Sequence, residues 1–202
     1  MKVLYLGCFC EHTISTFIKE CTKGVITVSA TTFQKALLAG CNECGIRPDY
    51  IVNVPDIGSF PFRCNNLFFS KSKFEYASIK GVNASFFNVT YLKKCSIYHT
   101  IMREAKLWLN KNREEKVTIL VYSLIYPYLK AAIDLKKMYP NVQICCIVLD
   151  LPEYFGDSTS LLYRFLGNLE TKRIYSLVPS VDSFVLLTNN HKDIYKMKTS
   201  SK

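Results

Sequence analysis

The segment at residues 143–154, with the sequence QICCIVLDLPEY, constrains the fold of this chain more than any other segment. An unbroken apolar run over residues 144–149 stops at Asp150, and Leu-Pro-Glu-Tyr follows. Such a run, without alternation, predicts a strand covered on both faces, as in a parallel sheet. Ligands of open α/β sheets bind just beyond the carboxyl ends of the strands. We therefore expect Asp150, Glu153 and Tyr154 to border a binding site; the simpler alternative is a strand cap followed by a turn.

The rest of the chain alternates predicted strands and helices. Strands are predicted at residues 2–6, 50–54, 84–89, 117–122, 143–149 and 183–187. Helices are predicted at residues 30–44, 91–112, 127–138, 160–178 and 190–196, with a loop-rich aromatic excursion over residues 55–80. Helices of this length between parallel strands imply right-handed crossovers. The sequence therefore predicts an α/β fold: one doubly wound, Rossmann-like, three-layer domain with a mostly parallel sheet over residues 1–197, and a polar tail over residues 198–202.

Composition supports one buried domain in a reducing compartment. The 202 residues are 49% hydrophobic and 21% charged, which suffices for a core of ordinary size. No apolar run approaches the ~20 residues that cross a bilayer. The amino terminus has too short an apolar run for a signal peptide. Nine cysteines, two of them inside a predicted core strand, favour reduced thiols and a cytoplasmic protein.

A formal net charge of +10 favours anionic partners, namely phosphates, nucleic acid or an acidic membrane surface. Nucleic acid is not expected, because the chain has no RNA-binding aromatic signature and no zinc-finger spacing. No metal is expected either. The pair Cys41 and Cys44 has C-x-x-C spacing but no second pair nearby, and its position at a helix end favours core packing.

The loop after the first predicted strand is a second candidate site. Gly7, Cys8 and Phe9 occupy the place where Rossmann-type proteins hold phosphate, but only one glycine of the G-x-G-x-x-G pattern is present. The sequence therefore gives little support to a dinucleotide-binding site at this loop. Gly7 either allows close approach of a ligand or simply forms a turn. His12 follows at the same edge and is a candidate ligand contact.

The predicted helix at residues 160–178 carries an apolar side and a basic side. The apolar side comprises Leu161, Leu162, Phe165, Leu166, Leu169 and Ile174, and the basic side comprises Arg164, Lys172 and Arg173. This pattern fits either a helix on a membrane surface or, more simply, a helix that lies on the sheet with one solvated face.

Four segments in order resemble the N-terminal half of a GT-B type retaining glycosyltransferase, of the kind found in bacterial polysaccharide clusters. They are a first strand ending in Gly7, TTFQKALLAG at residues 31–40, DLPEY at residues 150–154 and VDSFVLLT at residues 181–188. The resemblance spans essentially all 202 residues. One departure is Asn189, where relatives often carry an acidic residue.

The resemblance implies two Rossmann-like domains that face each other across a cleft. The N-terminal domain would hold a saccharide or lipid-linked acceptor. A C-terminal domain, to which nothing here corresponds, would hold the nucleotide-sugar donor, which is a substrate, so no cofactor and no metal are expected. Gly7, Cys8, Phe9 and His12 would face the acceptor or the donor phosphates. Ser123, Asp150, Glu153 and Tyr154 would contact acceptor hydroxyls, and Thr188 would line the cleft.

By the same resemblance, Asp150 is the catalytic candidate, because a carboxylate there would orient or deprotonate the attacking hydroxyl. The expected function is therefore an acceptor-side domain that transfers nothing alone, in the cytoplasm and docked on the inner membrane surface where lipid-linked acceptors lie. The alternative is a non-catalytic Rossmann-like module that binds a nucleotide or a phosphorylated partner. A methyltransferase-like enzyme ranks last, because its glycine loop is missing.

Overall fold

The computed structural model describes residues 1–24, 28–90, 92–154 and 161–187, and of residues 154 and 161–164 the backbone only. The predicted helix at residues 190–196, the polar tail and the boundary at residue 197 lie outside the described residues. So do the candidate site residue Thr188 and the neighbouring Asn189.

The described elements alternate along the chain as the hydrophobic pattern predicts. The strands are β1 (Lys2–Gly7), β2 (Tyr50–Asn53), β3 (Phe68–Phe69), β4 (Ser72–Tyr76), β5 (Ile79–Asn83), β6 (Phe86–Phe87), β7 (Val117–Tyr122), β8 (Val142–Val148) and β9 (Ser183–Leu186). The helices are α1 (His12–Cys21), α2 (Ser29–Glu43), α3 (Lys93–Leu109), α4 (Tyr126–Met138) and α5 (Leu161–Leu177). Short 3-10 turns lie at Asn110–Asn112, Pro152–Tyr154 and Val178–Ser180.

Seven strands form one sheet in the order β4-β5-β2-β1-β7-β8-β9. All pairs are parallel except β4 with β5. The chain runs outward from β1 through β2 to β5, then crosses by α3 to β7 on the other side of β1. Right-handed crossovers place α2 on one face of the sheet and α3, α4 and α5 on the other. The doubly wound, mostly parallel α/β fold is thus confirmed, and its strand order reverses between β1 and β7.

The central strands are buried on both faces, which explains why their sequences lack alternation. Consecutive residues, which point to opposite faces, are buried over 4–6 in β1 and over 146–148 in β8. The strand register aligns the last residues of three neighbouring strands: Gly7 lies opposite Asn53, and Asn53 lies opposite Asn83. The carboxyl ends of β1, β2 and β5 therefore meet at one rim.

A strand does form within residues 84–89, but the prediction that it belongs to the main sheet is wrong. The strand that returns to the sheet is β5, which forms a hairpin with β4 through Ala77 and Ser78, both at positive φ. Residues Phe86–Phe87 instead pair with Phe68–Phe69 in a separate two-stranded ladder. The sequence of β5, IKGVN, does not resemble a buried strand. Its Gly81 leaves room for the ring of Phe74, because a Cβ added at Gly81 would lie 2.5 Å from Phe74 Cζ.

Two predicted helix faces also need correction. In α2 the buried side chains are Gln34 and Leu38, whereas Cys44 is exposed and is not part of the core. In α5 the apolar residues Phe165, Leu166 and Leu169 are exposed. Among the described side chains of α5, Ile174 is the buried one. The described apolar residues of the N-terminal half of α5 therefore face solvent, whereas Ile174 packs in the core.

Candidate functional site

The loop that leaves β1 is held by side chains from neighbouring elements. The backbone N–H of Cys8 donates to Gln34 Oε1 at 2.9 Å, and that of Phe9 donates to Asn53 Oδ1 at 3.0 Å. The next N–H, that of Cys10, donates to Thr31 Oγ1 at 3.0 Å. Rossmann domains hold phosphate with free N–H groups at this point of the fold. In this chain three consecutive N–H groups are already used, so the loop offers little to a phosphate.

Gly7 is required by packing within the protein. A Cβ added at Gly7 would lie 2.6 Å from Tyr5 Cε1 and 3.0 Å from Gln34 Oε1. Tyr5 is fully buried, and its hydroxyl donates to the same Gln34 oxygen at 3.0 Å. The space beside Gly7 is therefore filled by the chain itself.

Phe9 and His12, two other residues proposed as substrate contacts, lie in different environments. Phe9 is fully buried, and its ring packs 5.9 Å from the rings of Phe74 and Tyr76, so its side chain belongs to the core. His12 is exposed as the first residue of α1. Of these two side chains, only His12 is accessible to a ligand.

A buried polar network joins the carboxyl ends of β1, β2 and β5. Asn53 donates to Phe9 O and to Asn83 Oδ1, both at 2.8 Å. Asn83 donates in turn to Glu11 Oε2 at 3.2 Å. Glu11 is the N-cap of α1, and its carboxylate also accepts hydrogen bonds from the N–H and the hydroxyl of Thr13. Sequence analysis missed this network; its one signal is that β2 and β5 both end in asparagine.

The point where the strand order reverses lies between β1 and β7. Tyr122 ends β7, and Ser123 follows with φ of 64°, a conformation that costs a non-glycine residue about 1 kcal/mol. The N–H of Ser123 donates to Ile147 O at 2.8 Å, and the residue is buried. The strained turn directs the chain from β7 into α4.

Two exposed carboxylates lie near the Tyr122 hydroxyl. Burial raises the pKa of Tyr122 most strongly, and the nearby Cys8, Asp150 and Asp56 raise it further. Asp150 and Asp56 are both exposed, and the N–H of Asp56 donates to Cys8 O at 3.0 Å. The loops after β1, β2, β7 and β8 therefore lie at one edge of the sheet, here called the crevice, where open α/β sheets bind ligands. Asp56 was missed because it lies in a loop whose path the sequence does not predict.

Cys8 and Lys93 lie beside the same crevice. Burial raises the pKa of the Cys8 thiol, and Asp56 raises it further, so the thiol is protonated at neutral pH. Burial lowers the pKa of Lys93, and the Asp56 carboxylate opposes that change. Lys93 Nζ donates to the Ile57 carbonyl. Its ammonium is therefore a cation at this rim, and its sequence context, near the start of a helix, gave no signal.

The loop after β8 is anchored by Glu153. Its carboxylate accepts hydrogen bonds from the Tyr175 hydroxyl at 2.6 and 2.7 Å, which tie the short turn to α5. Tyr154 ends that turn. Of the predicted site residues, Cys8, Ser123 and Asp150 follow the carboxyl ends of β1, β7 and β8 at one edge of the sheet, and Ser123 is buried. Glu153 supports the loop after β8.

The described residues contain no group of three or more His, Cys, Asp or Glu side chains that would hold a metal ion. In that same part of the chain, no helix is long and apolar enough to cross a membrane.

Comparison with known proteins gives structural likeness alone. No protein-family model matches the chain, and no curated protein matches it. A trehalose-6-phosphate synthase studied for glycosyltransfer with retention has 11% identity and a TM-score of 0.46, with 100% of this chain and 43% of that one covered. Apo OtsA has the same identity and coverage, with a TM-score of 0.48.

The alpha,alpha-trehalose 6-phosphate synthase from Burkholderia multivorans also has 11% identity, with a TM-score of 0.44 and coverage of 96% and 41%. This chain spans less than half the length of the solved structures it matches.

Proposed function

We propose that this chain is the acceptor-side domain of a nucleotide-sugar-dependent glycosyltransferase of the GT-B type, such as those of bacterial polysaccharide biosynthesis. The observation that carries the proposal is the pair of exposed carboxylates, Asp56 and Asp150, beside Tyr122 at the strand-order reversal. Carboxylates accept hydrogen bonds from hydroxyls, so this crevice suits a saccharide. The neighbouring N–H groups, which a phosphate would need, are already bonded.

In this proposal the residues of the crevice have separate roles. Asp150 orients or deprotonates the attacking hydroxyl of the acceptor. Asp56 accepts a hydrogen bond from a second hydroxyl of the acceptor, and Ser123 forms part of the wall of the crevice. The acceptor is a saccharide or a lipid-linked saccharide. The nucleotide-sugar is bound by a further domain, so this chain binds the acceptor and transfers nothing unaided.

A peripheral membrane contact is proposed for α5. Its exposed residues Phe165 and Leu169 share one helix face with Lys172, and Arg173 lies next to them. An apolar segment beside basic side chains favours an anionic lipid surface. Docking there would bring a lipid-linked acceptor close to the domain, at the cytoplasmic face of a membrane.

The rival function is a non-catalytic module that binds a nucleotide or a phosphorylated partner. The net charge of +10 and the Lys93 ammonium at the crevice favour it. The two functions differ in the ligand chemistry that they require, and ligand binding therefore separates them.

Saturation-transfer difference NMR on the 202-residue chain tests the proposal with mono- and disaccharides and with ADP, UDP and inorganic phosphate as probes. We expect saccharide signals in the millimolar range that Asp56→Asn and Asp150→Asn each reduce at least about tenfold, the value of one hydrogen bond to a charged group. Glu114→Gln is the matched control, because this exposed carboxylate lies before β7, at the opposite edge of the sheet. Nucleotide signals without saccharide signals would support the rival function.

Turnover of a sugar nucleotide by the isolated chain would contradict its proposed inactivity. Flotation with vesicles that contain anionic lipid tests the membrane contact. We expect co-flotation that Phe165→Ser with Leu169→Ser abolishes, whereas neutral vesicles bind weakly. Equal flotation of the double variant would contradict a role for α5.

A further inference from the structure

Two buried cysteines outside the crevice face each other. Cys21 is the last residue of α1, Cys64 lies in the excursion after β2, and their Sγ atoms are 3.4 Å apart. Cys64 is fully buried and Cys21 is 7% exposed. Both are free thiols. A disulfide needs an S–S distance of about 2.05 Å, so a small side-chain movement would join them.

The backbone on both sides holds this alignment. Thr22 and Cys64 form an antiparallel β-bridge. The N–H of Lys23 donates to Arg63 O at 2.9 Å, and the N–H of Asn65 donates to Cys21 O at 2.7 Å. Because these bonds fix the two chains in register, the approach of the sulfur atoms results from the main-chain geometry.

We propose that Cys21 and Cys64 are a site of oxidative modification, at which hydrogen peroxide forms an intramolecular disulfide that fastens the excursion to α1. The Cys21 thiolate, which is the more exposed, attacks a peroxide oxygen; the O–O bond breaks and a sulfenic acid forms with release of hydroxide. The Cys64 thiolate then attacks the Cys21 sulfur, the S–O bond breaks and a second hydroxide leaves. The two thiol protons convert both hydroxides to water.

A second pair of cysteines, Cys41 and Cys44, differs from Cys21 and Cys64 in its exposure. Cys41 and Cys44 are three residues apart at the end of α2, and Cys44 is exposed. Burial, followed by the neighbouring Cys64, raises the pKa of Cys21 to about 11. The reaction is therefore slow at neutral pH, and its rate rises about tenfold per pH unit toward that pKa, because the thiolate is the nucleophile.

The disulfide would act on the segment that carries part of the crevice. The excursion begins at Pro55, and its N-terminal part includes Asp56 and Ile57, which contact Cys8 O and Lys93. α1 begins beside the same rim at His12. A bond between the last residue of α1 and Cys64 of the excursion therefore restricts motion of the loop that presents Asp56.

Intact-mass and peptide-mapping spectrometry of the peroxide-treated chain test the proposal at pH 8 and at pH 9. We expect a monomer that has lost two hydrogens, with a cross-linked peptide joining Cys21 and Cys64, and a rate about tenfold higher at pH 9. Cys64→Ser should lack the cross-link, whereas the control Cys41→Ser with Cys44→Ser should retain it. Oxidation of both thiols to sulfinic acid, or a cross-link between other cysteines in the wild-type chain, would overturn the proposal.

Hydrogen exchange provides a second readout that does not depend on the folding of a variant. In the oxidised wild-type chain, the amides of Lys23 and Asn65 should exchange at least about tenfold more slowly than in the reduced chain, if they exchange by local opening. Unchanged exchange after complete oxidation would show that the bond does not fasten the excursion.

Discussion

Replacement of Asn53 by alanine tests whether the buried polar network holds the rim of the sheet together. Asn53 is fully buried, and its amide makes three hydrogen bonds: it accepts from Phe9 N–H and donates to Phe9 O and Asn83 Oδ1. Alanine would leave all three partner groups unpaired, and Phe9 is itself fully buried.

The loss of stability follows from the number of buried polar groups that are left without a hydrogen-bond partner. A buried donor or acceptor without a partner costs about 1–3 kcal/mol, with carbonyl oxygens at the low end. Three such groups predict a loss of about 3–5 kcal/mol, which is a large part of the ~5–15 kcal/mol that stabilises a typical domain. The urea midpoint should fall by about 1–2.5 M for a slope of about 2–3 kcal/mol/M.

Urea unfolding followed by circular dichroism measures this loss. Asn168→Ala is the matched control, because Asn168 is exposed on α5, and its change should stay within about 0.5 kcal/mol. A loss below about 1 kcal/mol for Asn53→Ala would refute the reasoning, since the network would then contribute little to the rim.

Three further predictions follow from named contacts. Gly7→Ala should lower the free energy of unfolding by about 1–3 kcal/mol, because the added Cβ would lie 2.6 Å from Tyr5 Cε1. Gly40→Ala in α2 should raise it by about 0.5–1 kcal/mol, because a Cβ there would have no neighbour within 4 Å. Thermal melts of the two variants measure the difference. Burial raises the pKa of Asp134, but hydrogen bonds from Lys130 and Tyr98 outweigh burial and hold it below its usual value. The resulting stability is present above about pH 4 and is lost as the pH falls through the folded pKa, so unfolding curves of wild type and Asp134→Asn should converge below pH 4. A thiol reagent at pH 7 should label the exposed Cys44 and Cys95 rapidly and the buried Cys8 and Cys146 only after unfolding, and rapid labelling of Cys146 would contradict its burial.

The parallel sheet was predictable because its central strands are continuous apolar runs separated by helices. The prediction failed at β5, whose lysine and glycine do not resemble a buried strand until Phe74 is known to lie over Gly81. The sequence pattern also did not predict that the polar Gln34 of α2 is buried. Its side-chain oxygen accepts hydrogen bonds from the Tyr5 hydroxyl and the Cys8 N–H. Partners so far apart in sequence cannot be inferred from local periodicity.

The residues of the candidate site were likewise predictable only in part. Asp150 was predictable, because it ends an apolar strand and such ends meet at one rim. Asp56 and Lys93 were not, because the first lies in a loop and the second starts a helix after a long irregular segment. Only the fold of that excursion brings Asp56 near both Tyr122 and Lys93.

Amide chemical-shift mapping of the 202-residue chain tests the central claim most directly, namely that the crevice between β1 and β7 recognises hydroxyls through carboxylates. Titration with saccharides should shift the amides of Asp56, Ser123 and Asp150 and leave those of Cys8, Phe9 and Cys10 nearly unchanged. Shifts at the latter three amides on titration with ADP, UDP or inorganic phosphate, without any response to saccharides, would contradict it.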